Sequence, residues 1–177
     1  VTPLGILVLA TGALTLIFGS HETSDFWVDA LKLWWQLVRD QFKHIRTLVI
    51  YLDNGPNNSG TRTQFLKRLV EFADWSGLTL RLVYYPPYHS KYNPIERCWS
   101  ALEKKWNGVL LTTLKIVLTC ALRMFWKGQH PTVQHLAGDY PNGVRVTGRA
   151  KKELESRIER SPELRKYDIT IRPRQVD

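Results

Sequence analysis

TLVIYLDNGPNNS, residues 47–59, decides how this chain folds. Thr47 to Leu52 is uncharged and rich in β-branched and aromatic side chains, the composition of a strand. Asp53-Asn54-Gly55-Pro56 then ends any regular element, because Gly and Pro interrupt both ladders and helices. Upstream, Trp27, Ala30, Leu31, Trp34, Trp35 and Val38 fall on one face of a helix over about 24–40. Thr23 or Ser24 is its N-cap, and Asp25 and Asp29 suit its first turns. Downstream, Phe65, Leu66, Leu69, Phe72 and Ala73 share a face of a second helix over about 61–75, with Gly77 as its stop. Leu78 to Tyr84 is the next strand, closed by Pro86-Pro87. Alternating strands and helices make the α/β class.

Further outward, LGILVL (4–9) and ALTLIF (13–18) are apolar runs of strand length joined by Ala10-Thr11-Gly12, which reads as a hairpin. Residues 1–18 have no basic leader, are broken by Pro3, Gly5, Thr11, Gly12 and Thr15, and are short for a membrane span. They read as two buried strands, and no membrane partner is expected. After the polar loop Tyr88–Asn93, Asn93 is expected to cap a helix with Pro94 in its first turn. Ile95, Trp99, Leu102 and Trp106 form its apolar face. Leu114, Val117, Leu118, Ala121, Leu122 and Phe125 share a face of a helix over about 113–127. From Gly128 to about 148 the chain reads as loop. A basic helix (150–160) and a strand-like run (Tyr167 to Arg172) follow. The order β-β-α-β-α-β-α, then α, predicts a mixed sheet with helices on its faces.

The 177 residues carry 25 Lys plus Arg against 16 Asp plus Glu, a net charge of +9. At 44% hydrophobic and 23% charged, the composition is that of a globular domain and argues against disorder. Two cysteines, Cys98 and Cys120, make no disulfide scaffold and no zinc-finger spacing. The positive charge is uneven: residues 1–60 are net −1, residues 61–110 net +4 and residues 111–177 net +6. A basic second half is the footprint of a polyanion such as DNA or RNA, and equally of a solvated basic surface. Within it Lys104, Lys105, Arg149, Lys151 and Lys152 are candidates to track a DNA backbone. The seven tryptophans divide into Trp27, Trp34, Trp35, Trp99 and Trp106 on apolar faces, and Trp75 and Trp126 near helix ends.

Two acids stand where chemistry could occur. Asp53 follows a strand, and sites in open α/β sheets form at strand ends. Glu96 starts a helix. Such a pair could share two Mg²⁺ or Mn²⁺ ions, which activate a water and stabilise the leaving oxygen of a phosphodiester. Each residue has a local reading as well. Asp53-Asn54-Gly55 is good turn chemistry, and Glu96, three residues after Asn93, fits a capping box.

The context of Glu96 narrows the choice. YPPYHSKYNPIERCW, residues 85–99, resembles the signature around the last acid of DDE transposases in the broad Tc/mariner group. Ser-Lys-Tyr before Asn-Pro-Ile-Glu, the upstream FGSHETSDF and the pair Trp34-Trp35 resemble the ISAzo-thirteen family of bacterial insertion-sequence transposases. The likeness covers about residues 3–135.

The resemblance implies a ribonuclease H-like mixed sheet flanked by helices, with its first strand missing. Residues 1–135 would be the truncated DDE catalytic domain and residues 136–177 a basic C-terminal extension. Asp53 would be the second acid and Glu96 the third, both catalytic and metal-binding, with Asn54, Lys91 and Asn93 as supporting residues. His89 reads as an exposed loop histidine. Residues 1–21 contain no Asp or Glu, so the family's first acid is expected upstream of Val1, and this piece alone is expected to be inactive. Mg²⁺ or Mn²⁺, double-stranded DNA at transposon ends and target, a homo-oligomer and a bacterial cytoplasmic, nucleoid-associated setting are implied with it. A non-catalytic DNA-binding remnant and a ribonuclease H-type nuclease are the alternatives.

Overall fold

The computed structural model of the chain describes residues 1–176. In chain order it contains β1 (Thr2–Leu7), β2 (Leu14–Gly19), α1 (Ser24–Val38), β3 (Thr47–Leu52), α2 (Thr63–Ser76) and β4 (Thr79–Tyr84). These are followed by α3 (Ile95–Trp106), α4 (Leu114–Leu122), β5 (Thr132–His135), α5 (Gly148–Ser156), β6 (Ile158–Arg160) and β7 (Asp168–Ile171). No helix among the described residues is long and apolar enough to cross a membrane.

The class is α/β, with mixed sheets flanked by helices, as a ribonuclease H-like fold requires. The strands are nevertheless divided between two sheets, ordered β1-β2-β5 and β3-β4-β7-β6. The reason is visible in the ladders: β1 pairs only with β2, and β3 only with β4, so each leaves one edge without a partner strand among the described residues. The chain separates accordingly into two compact units, one of residues 1–22 with 94–139, the other of residues 23–93 with 140 onward.

In the first unit the predicted hairpin forms. Thr2 stands opposite Gly19 and Leu7 opposite Leu14 in antiparallel register, and the link closes through Val8 N–H to the Ala13 carbonyl (2.9 Å). β2 is buried along its whole length. Leu14, Leu16 and Phe18 pack with Cys98 and Leu102 of α3 and Val117 and Ala121 of α4. Gly5 permits the close approach of α3, because a Cβ there would lie 2.9 Å from the Trp99 ring. Trp99 and Trp106 are half-buried against this core.

The region after Gly128, expected as loop, contains β5, which pairs in parallel with β2. The fourth helix stops at Leu122 rather than near residue 127. Trp126 and Gln129 exchange backbone hydrogen bonds of 2.8 and 3.0 Å around Lys127 (φ 49) and Gly128 (φ 76), a tight turn that no helix can run through. Phe125, expected on the apolar face of that helix, is therefore 57% exposed.

In the second unit α1 begins as predicted, with the Thr23 hydroxyl accepting from Phe26 N–H at 3.2 Å. Phe65, Leu66, Leu69, Phe72 and Ala73 are buried on α2, which ends at Gly77. α1 packs on α2, with the Trp27 and Phe65 rings edge to face at 5.0 Å. β3 and β4 run parallel, Thr47 opposite Thr79 and Leu52 opposite Tyr84. β7 adds antiparallel to β4, and β6 to β7. The expected basic helix 150–160 is thus split: it ends at Ser156, and Ile158–Arg160 form a strand instead, with Ile158 buried.

Candidate active site

Parallel pairing of β3 with β4 carries Asp53 to the C-terminal end of its strand, where it is exposed. Tyr85 N–H donates to the Leu52 carbonyl at 2.9 Å and fixes the exit of the chain. The Asp53 Oδ1 accepts from Gly55 N–H (3.3 Å) and from the Asn58 side-chain amide (3.0 Å). The turn chemistry is therefore present, made through this one carboxylate oxygen. Asn54 takes a left-handed conformation, φ 64, as Asn tolerates.

The loop is tied from two sides. The Tyr84 hydroxyl donates to the Asn58 carbonyl and the Ser24 hydroxyl to the Asn57 carbonyl, each at 2.7 Å. Burial raises the Tyr84 pKa well above the ordinary phenol value, and the nearby Asp53 charge adds to this, so Tyr84 stays a donor. Arg160 donates to the Gly60 carbonyl at 2.8 Å and closes the far end. Asn58, five residues further along the loop, is the residue that holds the Asp53 side chain. Its Oδ1 is buried with no hydrogen-bond partner.

The loop before α3 is more open. Tyr88 is 95% exposed with φ 66. His89 is exposed, its Nδ1 2.9 Å from the Pro87 carbonyl oxygen. The Lys91 ammonium lies 5.2 Å from the centroid of the Tyr92 ring. Asn93 is buried, and its N–H donates to the Ser90 carbonyl at 2.8 Å. The helix starts one residue later than expected: Pro94 is its N-cap, with no side-chain hydrogen bond there, and Asn93 precedes the cap. A capping box needs a side-chain acceptor at the N-cap, which proline lacks. Glu96 is the acid of the first turn of α3 and is half-buried. Asp53 belongs to the second unit and Glu96 to the first.

Other candidates resolve into structure. Asp25 and Asp29 are bound by Arg68 of α2, and Asp29 also accepts from the Tyr140 hydroxyl at 3.0 Å. Burial opposes the Arg68 charge, but the bonds to the two aspartates keep its pKa above the ordinary arginine value. Burial pushes the Cys98 thiol up to about 11, so it is neither a nucleophile nor a ready metal ligand at neutral pH. Of the cations proposed for DNA, Arg149 is paired with Glu153, while Lys104, Lys105, Lys151 and Lys152 are exposed.

Oxygen donors suit a hard divalent cation. The Asp53 Oδ1 and the unpartnered Asn58 Oδ1 lie 3.6 and 3.4 Å from the position a Gly55 Cβ would take, ordinary contact distances that place both oxygens beside the same turn. No cluster of three or more His, Cys, Asp or Glu side chains with metal-binding geometry occurs among the described residues.

Comparison with curated proteins and with solved structures gave no match. Residues 1–173 match the family described as the Rhodopirellula transposase DDE domain, which is the ISAzo-thirteen family. That match spans both units and includes Asp53, Glu96 and the motif around each; the chain belongs to the ISAzo-thirteen family of transposase DDE domains.

Proposed function

We propose that this chain is the catalytic-domain portion of an insertion-sequence transposase that cuts DNA at transposon ends and joins the freed 3′-hydroxyl to target DNA. The observation that carries the reading is the family match over residues 1–173, joined to an exposed Asp53 at the end of β3 and Glu96 in the first turn of α3. Asp53 and Glu96 would hold Mg²⁺ or Mn²⁺, which when bound polarises the scissile phosphate and acidifies an attacking water. Asn58 orients the Asp53 carboxylate through its amide. Asn54 shapes the turn, Lys91 offers a charge to a phosphate, and Asn93 sets the entry to α3. Lys104, Lys105, Arg149, Lys151 and Lys152 would meet the DNA backbone. Family transposases act on paired ends, so a homo-oligomer in the bacterial cytoplasm is part of the proposal.

The family's first acid belongs on a strand before β1, and a free strand edge, that of β1 or of β3, supports such a pairing. With two of three acids, residues 1–177 would bind metal weakly and cut little. Mn²⁺ titration followed by paramagnetic broadening of backbone amides tests the site. The segments around Asp53 and Glu96 should broaden together over one concentration range, and Asp53→Asn should abolish both effects. Broadening at one segment alone would remove the shared site. Incubation with supercoiled plasmid separates the alternatives: nicking lost in Asp53→Asn supports the enzyme, DNA retention without nicking a remnant, and faster cleavage of an RNA–DNA hybrid a ribonuclease H-type nuclease.

A further inference from the structure

Ten ion pairs lie in the second unit. Five of the C-terminal arginines are engaged there: Arg157 and Arg174 with Asp74, Arg160 with Glu155, Arg172 with Glu159 and Arg149 with Glu153. In the first unit Arg97, Lys104 and Lys105 form no ion pair among the described residues, and together they line one groove of about 470 Å³. Ser100 and Ala101 complete its helical wall; Phe125 and Trp126 form the other. No carboxylate lines it.

The spacing is regular. Arg97, Ser100, Ala101 and Lys104 stand at i, i+3, i+4 and i+7, hence on one face of α3, and Lys105 borders it. Arg97 and Lys104 are about 10.5 Å apart along the axis, far enough to meet different phosphates of one strand. Opposite them Phe125 is 57% exposed, and its ring lies against His130 with centroids 3.9 Å apart. The turn around Lys127 and Gly128 and the contact of His130 Nδ1 with the Met124 carbonyl oxygen (2.9 Å) hold that aromatic wall in place.

An exposed ring held across a groove from unpaired cations matches an unpaired nucleotide, whose phosphates need charge and whose base offers a π-face. In a duplex that face is covered by its neighbours. We propose that this groove binds a single strand of DNA, with phosphates on Arg97, Lys104 and Lys105 and a base on Phe125. The inference rests on the reading of the chain as a DNA transposase domain and names the form of DNA that α3 accepts.

Fluorescence anisotropy with a labelled 15-nucleotide single strand, and with the blunt duplex of the same sequence, tests it on the whole chain. The wild type should bind the single strand more tightly. Phe125→Ala, at an exposed position, should leave the thermal midpoint within a few degrees, weaken single-strand binding at least about fivefold and weaken duplex binding less than twofold. Lys104→Ala with Lys105→Ala should weaken the single strand and reduce the slope of log affinity against log salt by about 1.4. Lys115→Ala, outside the groove, should change either affinity less than twofold. Single-strand binding indifferent to Phe125→Ala, or displaced equally by heparin in wild type and variant, would overturn the groove while leaving the transposase reading intact. Binding of neither DNA form would overturn both.

Discussion

Gly60 lies just beyond the loop that carries Asp53, and it tolerates no other side chain. A Cβ there would lie 2.4 Å from the Lys166 carbonyl oxygen and 3.0 Å from the Ile169 Cδ1. The first neighbour is backbone and cannot swing aside. Gly60→Ala should therefore lower stability by about 1–3 kcal/mol, read as a lower urea midpoint. Such a role is invisible in the string Asn58-Ser59-Gly60, because Lys166 is supplied from more than a hundred positions away. Asn58 escaped notice for a similar reason: its amide reaches Asp53 only because the loop folds back on itself. Asp53 and Glu96, by contrast, stood out as acids beside recognisable strand and helix boundaries.

Among the elements, α1 and α2 show what periodicity can and cannot reveal. Their apolar faces were legible residue by residue, and the observed cores follow them. The polar bolt between them was not. Arg68 sits mid-helix in a sequence where a solvated arginine is the ordinary expectation, yet it joins Asp25, Asp29 and Glu71. Arg68→Ala should cost about 3–5 kcal/mol, since it leaves two partly buried carboxylates without their cation. Chemical denaturation measures this, and Arg68→Lys should recover only part, lacking the forked geometry. β5 was illegible because Thr132-Val133-Gln134-His135 lacks alternation; it becomes a strand by pairing with β2. β6 has three residues, too few to show a period. The end of α4 was misjudged because Phe125 keeps the helical spacing one turn past the last helical residue.

Over the whole molecule, composition reported a charge excess but not its disposition. Seven arginines of the second unit are bound to acids, and the exposed cations of α3 are not. This disposition sets the response to acid. The hydrogen bond from Arg157 holds Asp74 below the ordinary carboxylate value, helped by Arg174; Arg81 does the same for Asp168 and Arg160 for Glu155. A depressed folded-state pKa contributes stability that is fully present above the unfolded value and disappears as pH falls through the folded one. The second unit should therefore weaken progressively below the ordinary carboxylate range, and Asp74→Asn should flatten that slope. Urea midpoints collected from pH 7 down to pH 3 check the sign; a wild-type slope equal to the variant's would contradict it.

The interleaved path of the chain governs the order in which it can be completed during synthesis. Everything the first unit needs has left the ribosome once residue 139 is free, whereas β4 still waits for β7, which ends at Ile171. At about 5–20 residues per second, that edge stays open for a few seconds after its neighbour unit is whole. A stop codon between positions 140 and 168 would consequently spare one half of the protein and leave the other half, the one bearing Asp53, with an unsealed sheet inviting aggregation.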